Sequence, residues 1–203
     1  KMINNTGIKN ALIDVDDSVL VLIDIQDCFL DRHDRAVSEA LVAKVAWIIH
    51  LARHLGVPIV AMAEDVDTRG NLNQTILNAL PNGQRVHDKD AFNLTDNPEI
   101  LADLDATGRK TVILMGMETD VCVAHSALGL MGNGYRAAVL KDAVATAPGG
   151  AEFGLSRMAD AGALITSVRS LYYEWLRSVT NCKTLRAATA GGPLAKRPDG
   201  LGV

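Results

Sequence analysis

The stretch TVILMGMETDVCVAHSALGLMGNGY (111–135) decides the fold. Its first half, TVILMG, is β-branched and continuously apolar, the composition of a strand buried on both faces. Its second half carries apolar residues at helical spacing. It predicts a helix from about Asp120 to Met131, ended by the GNG turn. A strand that runs straight into a helix is the unit of a parallel α/β sheet. Cys122 falls in the first turn of that helix, just beyond the strand end.

Outward from this stretch the same alternation repeats. VLVLIDIQ (19–26) reads as a second fully buried strand. AVSEALVAKVAWIIHLARHLG (36–56) is an amphipathic helix with Gly56 as its C-cap. VPIVAMAED (57–65) reads as a strand, 68–83 as a polar loop around a short helix, and 84–92 as a site for a short strand. Asp96 as N-cap and Pro98 in the first turn open a helix that ends at Gly108. Strands at 135–145 and 163–168 alternate with helices at 150–162 and 170–179. The expected architecture is a three-layer α/β/α sandwich around a central, mostly parallel six-stranded sheet. One domain is expected over residues 1–180, followed by an extended C-terminal tail, 181–203, loose or laid against a neighbouring subunit.

The 203 residues carry a formal net charge of −4 and no basic run, which argues against nucleic acid or an anionic membrane as partner. No apolar stretch is long enough to span a bilayer. The start of the chain lacks the apolar core of a signal peptide, so the cytoplasm is the expected compartment. Three cysteines, Cys28, Cys122 and Cys182, fit neither a disulfide framework nor a zinc site. IDIQDCFLD (23–31) lacks the glycines that a bound pyrophosphate requires.

In parallel sheets ligands bind beyond the carboxyl ends of the strands, so residues there are the candidates for chemistry. Asp24 sits near the end of the first strand, where an acid among Val, Leu and Ile is costly to bury unless paired. It could equally cap a loop. Lys89, in VHDKDAFN (86–93), reads alone as a solvated charge between Asp88 and Asp90. Cys122 would lie near free N–H groups and the positive end of a helix dipole, which favour a thiolate; a buried free cysteine is the bland alternative. His125 shares a face with Cys122, but an i, i+3 dyad leaves little room for substrate. Cys28 could line the same cleft as Asp24.

Together these stretches resemble the isochorismatase-like cysteine hydrolase superfamily, which includes nicotinamidases and N-carbamoylsarcosine amidases. VLVLIDIQDCF matches the first strand with its Asp-x-Gln, HDKDAFNLTD the lysine segment, and the Gly-x-x-Thr-(Asp/Glu)-x-Cys-Val pattern the nucleophile turn, with Asp142 on the next strand. The resemblance implies a catalytic triad of Asp24, Lys89 and Cys122. It also implies a cis peptide between Met117 and Glu118, and an oxyanion hole from the N–H groups of Glu118 and Cys122. The implied activity is hydrolysis of a C–N bond in a small amide through a thioester. A non-catalytic binding protein on the same scaffold, or a hydrolase or lyase of another C–O or C–N bond, are the alternatives. AMAEDVDTRGNLNQ (61–74) has no histidine where nicotinamidases hold a metal, so no metal or other cofactor is expected. Phe29, Asp65, Phe92 and Glu118 are expected to line the substrate pocket, with Asp67 nearby, and the resemblance implies a homo-oligomer.

Overall fold

The computed structural model describes residues 11–203, so the part of the expected domain before residue 11 lies outside the described residues. Six strands, β1 (Ser18–Ile23), β2 (Ile59–Glu64), β3 (Val86–Lys89), β4 (Thr111–Met117), β5 (Arg136–Ala145) and β6 (Leu164–Thr166), form one sheet in the order β3-β2-β1-β4-β5-β6. Every adjacent pair is parallel. The chain winds outward one way from β1 to β3 and the other way from β4 to β6. The strand order therefore reverses between β1 and β4, and ligand-binding crevices form at such a point.

Every residue of β1, β2 and β4 is buried, as their unbroken apolar runs require. Alternate side chains feed two separate cores. Leu20 and Leu22 join one apolar cluster with Trp47, Ile48 and Tyr172; Val19, Val21 and Ile23 join the other with Leu104, Val123 and Leu130. These are the two seams of an α/β/α sandwich. The first is covered by α2 (Arg35–Leu55), which follows the short α1 (Asp27–Leu30). Between β2 and β3 lie α3 (Val66–Arg69) and α4 (Gln74–Ala79). The second seam is covered by α5 (Pro98–Ala106), α6 (Ala124–Gly132) and α7 (Gly150–Asp160), and α8 (Val168–Leu176) returns to the first.

Three expectations need correction. The helix expected to start at Asp96 has Asn97 as its cap and Pro98 at its first position, because Leu94–Asp96 close a separate 3-10 turn. The helix after β4 does not start as a regular α-helix. Residues Thr119–Val123 form a π turn, in which the Glu118 carbonyl accepts from the N–H groups of both Val121 and Val123. The tail is not extended. A further helix, α9 (Val179–Ala188), is capped by the Ser178 side chain and buries Cys182 and Leu185, one helical turn apart. Beyond it the Leu194 carbonyl accepts from Trp47 Nε1 on α2, and Leu201 and Val203 are buried. The Gly- and Pro-rich composition hid this short apolar periodicity.

Candidate active site

Four ionisable or nucleophilic side chains meet at the carboxyl ends of β1, β2, β3 and β4. Asp24 follows β1 with φ 51°, a left-handed conformation that Asp tolerates better than branched residues. It is fully buried, and its Oδ2 lies 2.8 Å from Lys89 Nζ at the end of β3. Lys89 is itself only 1% exposed, so the sequence reading of a solvated loop charge does not hold. Cys122, on the π turn after β4, is 4% exposed and its Sγ lies 3.5 Å from Lys89 Nζ. The structure thus brings together the three residues that the resemblance singles out.

The fourth member is Glu64, the last residue of β2. Its Oε2 accepts from the Cys122 thiol at 3.3 Å and lies 3.4 Å from Lys89 Nζ, while Oε1 pairs with Arg69 Nε at 3.1 Å. Gln26 fixes the backbone there: its Nε2 donates to the Glu64 and Gly70 carbonyls, and its Oε1 accepts from the Glu64 N–H at 2.8 Å. Sequence reasoning chose the neighbour, Asp65, for the pocket. The end of β2 decides between them: Glu64 is the last buried residue of the strand, while Asp65 turns away beyond it with φ 47° and is exposed. The available signal was an acid ending an otherwise apolar strand, the same signal that marked Asp24.

Electrostatics follow from burial. Asp24 is pushed up to about 6, chiefly by loss of water, with Lys89 pulling the other way. Burial also opposes the charge on Lys89, but the negative groups around it, Asp24 first, leave its pKa raised, so it stays an ammonium. Burial pushes the Cys122 thiol up, and Asp24 and Glu64 add to this against the pull of Lys89. The Cys122 thiol is therefore held neutral, not as the thiolate that a helix N-terminus alone favours. Asp24, Glu64 and Cys122 bring their ligand-type atoms within 4.8 Å of one another, the spacing of a metal cluster. The Lys89 ammonium, however, lies within 2.8–3.5 Å of all three and already supplies the positive charge there.

The peptide between Met117 and Glu118 is cis. Immediately before it, Gly116 has φ 129°, and a Cβ there would come within 1.8 Å of the Ile23 carbonyl oxygen. Only glycine lets β4 pass so close to the end of β1. Of the other pocket candidates, Phe29 is buried, with the guanidinium groups of Arg32 and Arg69 4.9 Å and 5.3 Å from its ring centroid. Arg32 also pairs with Glu118 at 3.3 Å. Phe92 is exposed and meets His125 edge-on. Asp142 caps the N-terminus of α8 through the Val168 N–H and pairs with Lys44, on the side of β5 away from the thiol cluster. Cys28 packs against the first apolar cluster.

A model of the isochorismatase domain matches residues 18–170. The chain belongs to the isochorismatase family. Among curated relatives it is similar to the secreted isochorismatase effector Isc1 of Phytophthora sojae (strain P6497), at 30% identity over 176 residues, 81% of this chain and 79% of the relative. Among solved structures it is similar to YcaC from Pseudomonas aeruginosa with hexane-2,5-diol and covalent acrylamide. That match has a TM-score of 0.77 and 26% identity, over 84% of this chain and 86% of the other. It shares its fold with N-carbamoylsarcosine amidase from Thermoplasma acidophilum, with a TM-score of 0.62 and 24% identity, over 75% of this chain and 96% of the other. This isochorismatase-family chain is thus placed among hydrolases with the α/β/α architecture described above. Among the described residues no helix is long and apolar enough to cross a membrane.

Proposed function

We propose that this chain is a metal-independent cysteine hydrolase that cleaves an amide-type C–N bond of a small molecule through a thioester on Cys122. The observation that carries this reading is the buried contact set of Lys89 Nζ with Asp24 Oδ2 at 2.8 Å and with Cys122 Sγ at 3.5 Å. Burying four ionisable groups side by side is expensive unless they are used together.

A carboxylate of the cluster receives the thiol proton as sulfur attacks the carbonyl carbon, the role that the resemblance gives to Asp24. The carbonyl π pair moves to oxygen, and the N–H groups of Glu118 and Cys122 hold the oxyanion. Each such donor contributes about 3–4 kcal/mol. When the intermediate collapses, the C–N bond breaks and the carboxylic acid returns its proton to the leaving nitrogen. Water then adds to the thioester, giving its proton to a carboxylate, and the thiol is regenerated. Lys89 keeps the sum of negative charge tolerable throughout. The cytoplasm and a homo-oligomeric state belong to this reading. Three free thiols support a reducing compartment.

A screen of small amides, ureas and carbamates for ammonia release tests it. At least one compound should be hydrolysed by the wild type and by neither Cys122→Ala nor Cys122→Ser. Equal ammonia release by Cys122→Ala would contradict it.

A further inference from the structure

Two guanidinium groups converge on one phenyl ring beside the thiol cluster. Arg69, the last residue of α3, and Arg32, two residues past α1, place their Cζ atoms 5.3 Å and 4.9 Å from the Phe29 ring centroid. Each is tied to a different wall of the site. Arg69 Nε lies 3.1 Å from Glu64 Oε1, and the other oxygen of Glu64 lies 3.3 Å from Cys122 Sγ. Arg32 Nη1 donates to Glu118 Oε1 at 3.3 Å. Glu118 follows the cis peptide bond, and its N–H is an oxyanion donor in the proposed mechanism. Ring and carboxylates thus hold both cations in place, a cost in rotamer freedom that solvated surface arginines do not bear. Both side chains still reach solvent, Arg69 at 35% exposure and Arg32 at 48%.

Their hydrogen-bonding capacity is largely unspent. A guanidinium offers five N–H donors in a flat fork. Among the described residues Arg69 pairs with no carboxylate besides Glu64, and its buried Nε is not aligned for a hydrogen bond even there. Arg32 pairs with none besides Glu118. Two like charges around a single ring repel each other, and an anion bound beside them relieves that repulsion. We infer that the substrate carries a carboxylate, that Arg69 binds it through its Nη groups, and that Arg32 adds a second positive charge beside Phe29. This rests on the reading of Cys122 as nucleophile and narrows its substrate to a small amide with a carboxylate a few bonds from the scissile carbonyl. That spacing is the span from sulfur across Glu64 to Arg69. The two arginines set specificity, since they meet the charged substituent and not the bond that breaks. A neutral amide of the same shape leaves their donors unmatched and loses that binding.

The test compares iodoacetate with iodoacetamide as alkylating agents of Cys122, followed by mass spectrometry at neutral pH. Both react at one carbon and expel iodide; they differ in a carboxylate against a neutral amide. Any change in the thiol itself therefore cancels in the ratio of their rates. A small neutral thiol, N-acetylcysteinamide, gives the reference ratio. The iodoacetate-to-iodoacetamide ratio at Cys122 should exceed that reference by about 10-fold or more, the scale of a charge-assisted hydrogen bond. Arg69→Met should bring the ratio back towards the reference. Arg69→Lys should keep part of the preference, because it keeps the charge and loses the fork. Arg32→Met should lower the ratio by less than Arg69→Met. Circular dichroism shows that each variant is folded; should Arg69→Met not fold, Arg69→Lys and Arg32→Met carry the test. A reference ratio in the wild type, or a raised ratio that the arginine variants leave unchanged, would overturn the carboxylate site and leave the nucleophile untouched. Absence of any Cys122 adduct from either reagent would overturn both.

Discussion

Cys122 and Cys182 are nearly equally buried, at 4% and 6% exposure. Cys122 lies against Glu64 and Lys89 where four strands end, with Asp24 behind the lysine. Cys182 lies on α9 beside the Tyr172 phenol, in the same apolar cluster as Leu185 and Trp175. Burial therefore does not separate the proposed nucleophile from a packing cysteine in this molecule. The neighbours do, since a thiol needs a base for its proton and a cation for the charge that follows.

The sharpest way to break this contrast is to remove each sulfur. Cys122→Ala should lower amide hydrolysis by about 10⁴-fold or more, since members of a nucleophile–base unit fail together. Cys182→Ala should leave the rate within about two-fold. Steady-state ammonia release on both variants checks it.

Lys89→Met strikes at what distinguishes the two surroundings. It leaves Asp24 and Glu64 without their shared cation, and breaking a buried pair costs about 3–5 kcal/mol. Urea unfolding should show that loss, and activity should vanish with it. Gly116→Ala should destabilise by roughly 4 kcal/mol, because its Cβ would meet the Ile23 carbonyl at 1.8 Å. Such a variant links the fold to the cluster, since the same approach positions the turn before Cys122.

The pH profile sharpens the contrast further. Asp24 is raised from 3.8 to about 6, so hydrolysis should climb as pH rises through about 6 and the carboxylate forms. For stability the sign is opposite. The folded chain holds this proton more tightly than the unfolded chain, so the contribution is full below the ordinary carboxylate value and lost as pH rises through about 6. Asp24→Asn should flatten that part of a stability-against-pH curve. The smallest effect belongs to Cys182→Ala, about 1–2 kcal/mol of stability from a shallow cavity, read from the urea midpoint.

Much of this was legible in the sequence. Continuous apolar runs at β1 and β4 announced a parallel sheet, and the parallel sheet put Asp24 and Cys122 at the ends of neighbouring strands. Lys89 was legible only by resemblance, because a lysine between two aspartates carries no local sign of burial. The alternation of β3, with Asp88 exposed and Lys89 inward, becomes visible only once the strand is placed against β2. Glu64 escaped for the same reason, as its direction depends on strand register. The neutral thiol escaped because it is set first by burial and then by Asp24 and Glu64, none of which is local to Cys122 in the sequence. The C-terminal helix escaped because two buried side chains among many small and polar ones give a faint period.

The most direct test of the account counts acrylamide adducts on all three cysteines at neutral pH by peptide-resolved mass spectrometry. The account predicts that Cys122 is modified ahead of the more exposed Cys28 and that Cys182 stays free, with the preference for Cys122 lost in Lys89→Met. Labelling that follows exposure alone, with Cys28 first and Cys122 as inert as Cys182, would contradict it.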